Sequence, residues 1–312
     1  MQRLKETGII IPTYNAMSYD TFPNLIKLLL STKNDVGKIL IIDSSSNDKT
    51  VEFVTNIGIE VLVIPMQEFD HGTTRDMGVK ILSDKYFLKY VIFLTQDAAL
   101  SSIDSLYSII KPFDDDLIGA VCGRQVPHDN ANLIAKHSRF FNYEETSRIN
   151  TISNIPNLGL KTAFMSNSFA SYNIQILNQM NGFPKTLIFG EDMYVAAKMI
   201  LNGFKTCYCS DAIVRHSHNY SLFEEFRRYF DIGVFHVSNP FLLEEFSSPK
   251  RGGFNYLISE LQFTLKNWSL FWFCNSLLRT MLKFLAYNLG KNNSRINKVL
   301  NKKMSMNNNY WN

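Results

Sequence analysis

The sequence is poor in the residues that build disulfide-stapled, fibrous or membrane-spanning proteins. Four cysteines in 312 residues (Cys122, Cys207, Cys209 and Cys274) are too few and too scattered for a disulfide framework. Cys207 and Cys209 lie two apart in a run that reads as a strand, so they share a face. No second cysteine or histidine pair completes a zinc site with them, and reduced structural thiols in a cytoplasmic protein are expected. With 15 glycines and 9 prolines, the chain has neither a collagen repeat nor a low-complexity bias. The first apolar run, residues 8–11, is too short for a secretory signal. The most apolar stretch, residues 270–289, is broken by Arg279 and Lys283, whereas a spanning helix needs about 20 largely uncharged residues. A net charge of +4 gives no reason to expect nucleic acid. Also missing is a glycine-rich turn after the first strand: the segment reads Pro12-Thr13-Tyr14-Asn15, which excludes the dinucleotide-binding fingerprint of a dehydrogenase.

What is present is an alternation of strands and helices. Gly8-Ile9-Ile10-Ile11-Pro12 reads as a buried parallel strand, and Leu25, Leu28 and Leu29 mark one face of a helix after it. Residues 38–43 form a second strand running into the polar loop 44–48, with a short helix over 50–56. A third strand over 60–64, a helix over 73–84 and a fourth strand over 90–94 follow, the last ending at Thr95-Gln96-Asp97. This order predicts an α/β fold with a doubly wound, mostly parallel sheet. Ligands of such sheets bind beyond the carboxyl ends of the strands, where Asp43 and Asp97 both sit. From about residue 220 the alternation stops, so residues 1–220 read as a catalytic domain and 221–312 as a helical, aromatic appendage. From Ser247 onward there are ten basic residues and one acid, Glu260, a local charge of +9 that leaves −5 for the rest. That asymmetry predicts attraction of the tail to an anionic surface.

Several segments then occur in a telling order: Ile10-Ile11-Pro12-Thr13-Tyr14-Asn15, Ile42-Asp43-Ser44-Ser45-Ser46-Asn47-Asp48, Phe69-Asp70-His71-Gly72-Thr73-Thr74-Arg75, Phe93-Leu94-Thr95-Gln96-Asp97-Ala98, Gly190-Glu191-Asp192 and His216-Ser217-His218. Over residues 8–220 the chain resembles the family 2 glycosyltransferases of the GT-A fold. Within them it resembles the bacterial rhamnosyltransferases that build surface polysaccharide. The resemblance implies an inverting, metal-dependent transfer of a sugar from a nucleotide diphosphate to an acceptor hydroxyl.

It also assigns roles to residues. Pro12, Thr13 and Tyr14 lie where the family holds nucleobase and ribose, and Asp43 where a carboxylate accepts the N3–H of uracil or thymine. Arg75, on the helix after the third strand, is placed to pair with phosphate or with a site carboxylate, brought in by a loop that His71 and Gly72 shape, and Gln96 completes the donor-binding set. Asp97 is the expected ligand of Mg2+ or Mn2+, since hard cations prefer oxygen and bridge phosphates. It is the last acid of what is elsewhere an Asp-x-Asp motif. Thr95 occupies the first position, so His216 is expected to supplement it, with a smaller claim for His218. Asp192 is the expected general base, supported by Glu191. A plainer reading of each acid stands beside these: Asp43 is a helix cap or turn carboxylate, Asp48 caps the following helix, Asp97 caps the turn after its strand, Asp192 stabilises a helix N-terminus, and Asp114-Asp115-Asp116 is a solvated loop.

The expected donor is dTDP-β-L-rhamnose and the expected acceptor a lipid-linked saccharide of O-antigen or capsule. Two alternatives remain open: another donor such as a UDP-hexose, and a non-catalytic nucleotide-sugar-binding scaffold. Arg227, Arg228 and Asp231 resemble the family's segment before the tail and are expected to border the acceptor. Trp268, Phe271, Trp272 and Phe273 among the basic residues of 265–303 predict an interfacial helix peripheral on the inner face of the cytoplasmic membrane, or else a helix pair that packs against the core or forms a homodimer. The Asn-rich end, 305–312, is expected to fray.

Overall fold

The computed structural model describes residues 2–247 and 252–311. Lys250 and Arg251, counted above in the basic tail, lie outside the described residues, as does Asn312. The strands are β1 (Thr7–Thr13), β2 (Lys38–Asp43), β3 (Glu60–Val63), β4 (Tyr90–Leu94), β5 (Ala99–Leu100), β6 (Ile118–Val126), β7 (Arg148–Asn150), β8 (Phe169–Asn173) and β9 (Lys205–Arg215). They form one sheet in the order β3-β2-β1-β4-β8-β6-β9-β5, with β7 on β9. The half read from the sequence, β3-β2-β1-β4, is all parallel. The other half is mixed, because β8 runs antiparallel to both β4 and β6 while β6 and β9 run parallel.

Apolar residues on both faces of the central strands explain the layering. Ile9, Ile11, Ile39 and Ile41 enter one core, with Leu25, Ile26 and Leu29 of α1 (Thr21–Ser31). Ile10, Leu40 and Ile42 enter the opposite core. That second core also holds Val79 of α3 (His71–Asp84), the helix that follows α2 (Thr50–Asn56). A strand with both alternating faces apolar must be covered on both sides, as here. Cys207 and Cys209 point into the first core together and all four cysteines are free, with Cys274 exposed.

After α4 (Asp104–Ile110), α5 (Leu133–Asn142) and α6 (Glu191–Leu201), the chain leaves the sheet and becomes helical: α7 (Leu222–Ser238), α8 (Gly252–Lys266) and α9 (Leu270–Lys291). Ser221 and Glu224 form a reciprocal capping box that starts α7. These helices are tied to the sheet domain. Phe230, Val234 and Phe235 of α7 share a third core with Ala197 and Ile200 of α6. His137 of α5 meets Ser259 of α8 at 2.9 Å and packs its ring 4.9 Å from Tyr256. Where α7 crosses α9, Gly233 and Gly290 let the two backbones touch, and a Cβ at either would collide with main chain.

Two expectations about the tail are corrected. Arg279 and Lys283 do not face outward: both are buried, and both reach Glu225 of α7, Lys283 Nζ at 2.8 Å from Oε1. The described part of the tail, residues 305–311, is docked and not frayed. Asp231 accepts a hydrogen bond from the Met306 amide at 2.9 Å, Asn307 Nδ2 donates to the Ile188 carbonyl at 2.9 Å, and Trp311 packs on Phe230. The tail thus supplies a hydrogen bond to the buried Asp231 carboxylate and an aromatic cover for the buried Phe230 ring.

Candidate active site

A cavity of about 880 Å³ opens at the carboxyl ends of the strands, within the size range of small-molecule sites. Pro12, Thr13, Tyr14, Arg75, Gln96, Asp97, Glu191, Asp192 and His216 all line it. Asp43 does not. It is fully buried behind the wall, where the register of β1 against β2 sets it opposite Thr13. Its Oδ2 accepts from Thr13 Oγ1 at 2.8 Å and from Ser46 Oγ at 2.6 Å, and its Oδ1 from the Ser46 amide at 2.7 Å. Asp43 therefore holds the two loops that form this end of the cavity. Gln96 does similar work across the sheet. Its Oε1 accepts from the Tyr14 amide at 2.8 Å, and its Nε2 donates to the Tyr14 carbonyl at 3.1 Å. Asp48 binds Thr50 and the Met17 amide, a loop role. Asp114 pairs with Arg3, and Asp115 with Lys205 at 2.8 Å; neither lines the cavity.

At the end of β4, Asp97 Oδ2 lies 3.2 Å from His216 Nε2 and 3.7 Å from His218 Nε2. The ligand atoms of these residues lie within 4.8 Å of one another. His216 is oriented from behind: its Nδ1 meets Gln125 Oε1 at 2.8 Å, and Gln125 Nε2 donates to Ser166 Oγ at 2.8 Å. With Oε1 accepting from Nδ1–H, the Nε2 lone pair faces a carboxylate oxygen. Burial lowers the pKa of His216, outweighing the pull of Asp97, so a second proton on the ring is disfavoured. Asp97 in turn is held well below the usual carboxylate range: burial would raise it, but the hydrogen bond and charge of His216 prevail. A proton or a divalent cation would each satisfy this contact, and an imidazole fixed through its other nitrogen is the usual outer-shell arrangement of a metal ligand. The donor set fits a divalent ion.

The second cluster sits at the start of α6. Gly190 caps this helix with φ +80°, and a Cβ there would come within 3.0 Å of the Phe235 ring. Glu191 is buried and paired with Arg75 Nη1 at 3.0 Å, so the guanidinium engages a site carboxylate, one of its two expected partners. The α3 N-cap Asp70 accepts from the Thr73 amide at 2.8 Å, which starts the helix two residues before the expected 73 and lets Arg75 Nη1 donate to the His71 carbonyl at 2.8 Å. One residue organises both acids. The Asn167 amide donates to Asp192 Oδ2 at 3.0 Å, and its Nδ2 donates to Glu191 Oε1 at 3.0 Å. Tyr172 Oη fixes Asn167 by donating to its Oδ1 at 2.7 Å.

This environment drives the two acids apart. Burial would raise Glu191, but the charges of Arg75 and His71 and the Asn167 hydrogen bond lower it, so it stays ionised. Burial, followed by the adjacent Glu191 charge, pushes Asp192 up to about 7. Neighbouring carboxyl groups separated in this way are the mark of an acid–base site.

Sequence reasoning gave no weight to Gln125 or Asn167 and too little to His218. Gln125 was findable, since it sits at the carboxyl end of a strand by the same rule that points to Asp97. For Asn167 there was no local signal.

The glycosyl transferase family 2 model matches residues 8–180. Among characterised proteins, the chain is 44% identical over 305 residues to the O-antigen chain rhamnosyltransferase RfbN of Salmonella typhimurium, covering 97% of this chain and 95% of that one. It is 42% identical to the O-antigen chain rhamnosyltransferase WbaN of Salmonella anatum over 97% of this chain and 95% of that one. Among solved structures, a mannosyltransferase of Pyrobaculum calidifontis in complex with GDP-Man and Mn2+ has a TM-score of 0.57 at 16% identity, covering 96% of this chain and 84% of that one. TarS of S. aureus in complex with UDP has a TM-score of 0.50 at 17% identity over 93% of this chain and 91% of that one. The chain belongs to glycosyl transferase family 2 and is a glycosyltransferase of the GT-A fold.

Proposed function

We propose that the enzyme transfers L-rhamnose from dTDP-β-L-rhamnose, with inversion, to a hydroxyl of a lipid-linked O-antigen intermediate. The observation that carries the chemistry is the Glu191–Asp192 pair, held by Asn167 so that one carboxyl stays ionised and its neighbour titrates near neutrality. The donor and acceptor class rest on the likeness to two O-antigen chain rhamnosyltransferases over 97% of the chain.

In a single displacement, the acceptor oxygen attacks the anomeric carbon as its proton passes to Asp192. The bond from that carbon to the diphosphate oxygen breaks, and its electron pair leaves with dTDP. Glu191 stays ionised against Arg75 and keeps the Asp192 carboxyl basic enough to take the proton. Asp97, His216 and His218 would hold the divalent cation, which when bound offsets the charge on the leaving diphosphate. Two imidazoles beside one carboxylate suit Mn2+ better than the harder Mg2+. Thr13 and Tyr14, steadied by Asp43 and Gln96, would receive the nucleoside. A thermal-shift series with dTDP-L-rhamnose and UDP-glucose, each with Mn2+ and Mg2+, tests the donor. The expected result is stabilisation by dTDP-L-rhamnose with Mn2+; stabilisation by UDP-glucose alone would contradict it.

The same reading puts the enzyme on the inner face of the cytoplasmic membrane. No described helix is long and apolar enough to cross a membrane. With Arg279 and Lys283 turned inward, the outer face of α9 carries Leu270, Phe271, Leu277, Met281 and Phe284, all exposed, and Trp268 just before it is 96% exposed. Exposed Lys266, Lys291, Arg295 and Lys298 flank that stripe. Apolar side chains at helical spacing with cations beside them suit an anionic lipid surface, where a lipid-linked acceptor resides.

A further inference from the structure

The sequence assigned to Arg75 either phosphate or a site carboxylate, and its Nη1 is engaged by Glu191 and by the His71 carbonyl. Arg279 and Lys283 also line the cavity, but both are engaged by Glu225. Two other cavity-lining arginines have no carboxylate partner within 4.0 Å among the described residues: Arg139 of α5 and Arg228 of α7. Both stand at the Asp97–His216–His218 end. Arg139 Nε donates to the His216 carbonyl at 2.6 Å, and its guanidinium lies 5.7 Å from the Tyr143 ring, with no acceptor on its two terminal nitrogens among the described residues. Arg228 lies 5.7 Å over the Tyr220 ring, which is 5.1 Å from His218, itself 4.7 Å from His216.

We infer that Arg139 and Arg228 form a guanidinium clamp that holds the diphosphate of the nucleotide sugar opposite the Asp97–His216–His218 cluster. This rests on the reading of the cavity as a nucleotide-sugar site and names residues which that reading lacked. A nucleotide diphosphate carries more negative charge than one divalent ion held by a carboxylate can offset. Planar guanidinium forks match phosphate oxygens bidentately, and each is already oriented by a backbone carbonyl or an aromatic face. The clamp also gives the helical region beyond residue 220 a part in the chemistry. Arg228 and Phe235 both line the cavity from α7, seven residues or roughly 10 Å apart along the helix, with Phe235 against Gly190. The helix thus runs from the diphosphate end of the site to the general-base end.

Titration of the full chain with dTDP by calorimetry, and with thymidine by ligand-observed NMR, separates phosphate contacts from nucleoside contacts. Arg139→Ala and Arg228→Ala should each weaken dTDP binding about 10- to 100-fold, the range of one charge-assisted hydrogen-bonded contact, and leave thymidine binding within about threefold. Arg228→Lys should recover only part of the loss, because an ammonium cannot form the fork. Unchanged dTDP affinity in both alanine variants, with Asp97→Ala still losing it, would overturn the clamp and leave the nucleotide-site reading standing. Equal losses of dTDP and thymidine would also overturn it, making the arginines supports of the pocket wall. A wild-type chain that binds neither ligand would overturn the nucleotide-site reading and the clamp with it.

Discussion

Replacing Glu191 by Gln tests the electrostatic logic of the site in one step. A general base acts only when deprotonated. A carboxyl raised to about 7 therefore supports turnover above that pH and loses it as the pH falls through that value. Burial is the larger cause of the rise from 3.8 and the Glu191 charge the next. Removing that charge should bring the acid limb of the kcat profile down by about one pH unit, or about 1.4 kcal/mol of interaction with the Asp192 carboxylate. Stability should fall in the same variant, because Arg75 would lose the carboxylate 3.0 Å away while remaining buried. Breaking a buried pair costs about 3–5 kcal/mol, and glutamine keeps one acceptor oxygen, so the loss should lie near the lower end. With roughly 2.1 cal/mol/K of unfolding entropy per residue, about 3 kcal/mol corresponds to a fall in Tm of about 5 °C in a chain of this length. Initial rates from pH 5 to 9 at saturating donor and acceptor read the first effect, and a thermal melt the second. An acid limb that stays in place while Tm falls would refute the claim that Glu191 sets the basicity of Asp192.

The metal site is tested from behind. Gln125→Ala should weaken Mn2+-dependent donor binding about 10- to 100-fold in calorimetry without unfolding the chain, since it frees the His216 ring to turn, whereas Asp97→Ala should abolish that binding. Flotation on vesicles containing anionic lipid tests the outer face of α9. The full chain should float, and Phe271→Ser with Phe284→Ser should not, because both side chains are exposed and their loss spares the core. Salt should weaken the wild-type interaction by screening the flanking lysines and arginines. Equal flotation of wild type and variant would reject attachment through this face. A dimer in size-exclusion chromatography that dissociates with the same substitutions would assign the face to a second copy of the chain.

The parallel half of the fold was legible because its information is local. Ile39, Leu40, Ile41 and Ile42 are apolar on both faces of β2, and such a run has few alternatives to a buried strand. Asp97 stood out for a related reason, since it lies just past the end of a strand, whereas Asp192 stood out only through the family resemblance, its place at a helix start being equally that of an acid that stabilises the helix. The antiparallel insertion of β8 between β4 and β6 was not legible, because its pairing joins segments distant in sequence. Asn167 just before β8 was hidden with it, though it holds both acids of the site. Arg279 and Lys283 argued correctly against a spanning helix but gave no sign of their own burial. In a hydropathy profile they break an apolar run, but their partner Glu225 lies on another helix and turns them from surface charges into a buried cluster. The docking of the tail depends likewise on Asp231 and Ile188, residues far from the Met306 amide and the Asn307 side chain that they hold.

The central claim, a displacement with Asp192 as base in a nucleotide-sugar site, is tested most directly by measuring donor affinity and turnover together in Asp192→Asn. Calorimetry with dTDP-L-rhamnose and Mn2+ should give an affinity within a few-fold of wild type, since the base acts on the acceptor proton and not on the bound donor. Turnover to a lipid-linked acceptor should fall by about 10²- to 10⁴-fold, the range for loss of a general base. Near-normal turnover in Asp192→Asn at saturating acceptor would contradict the account.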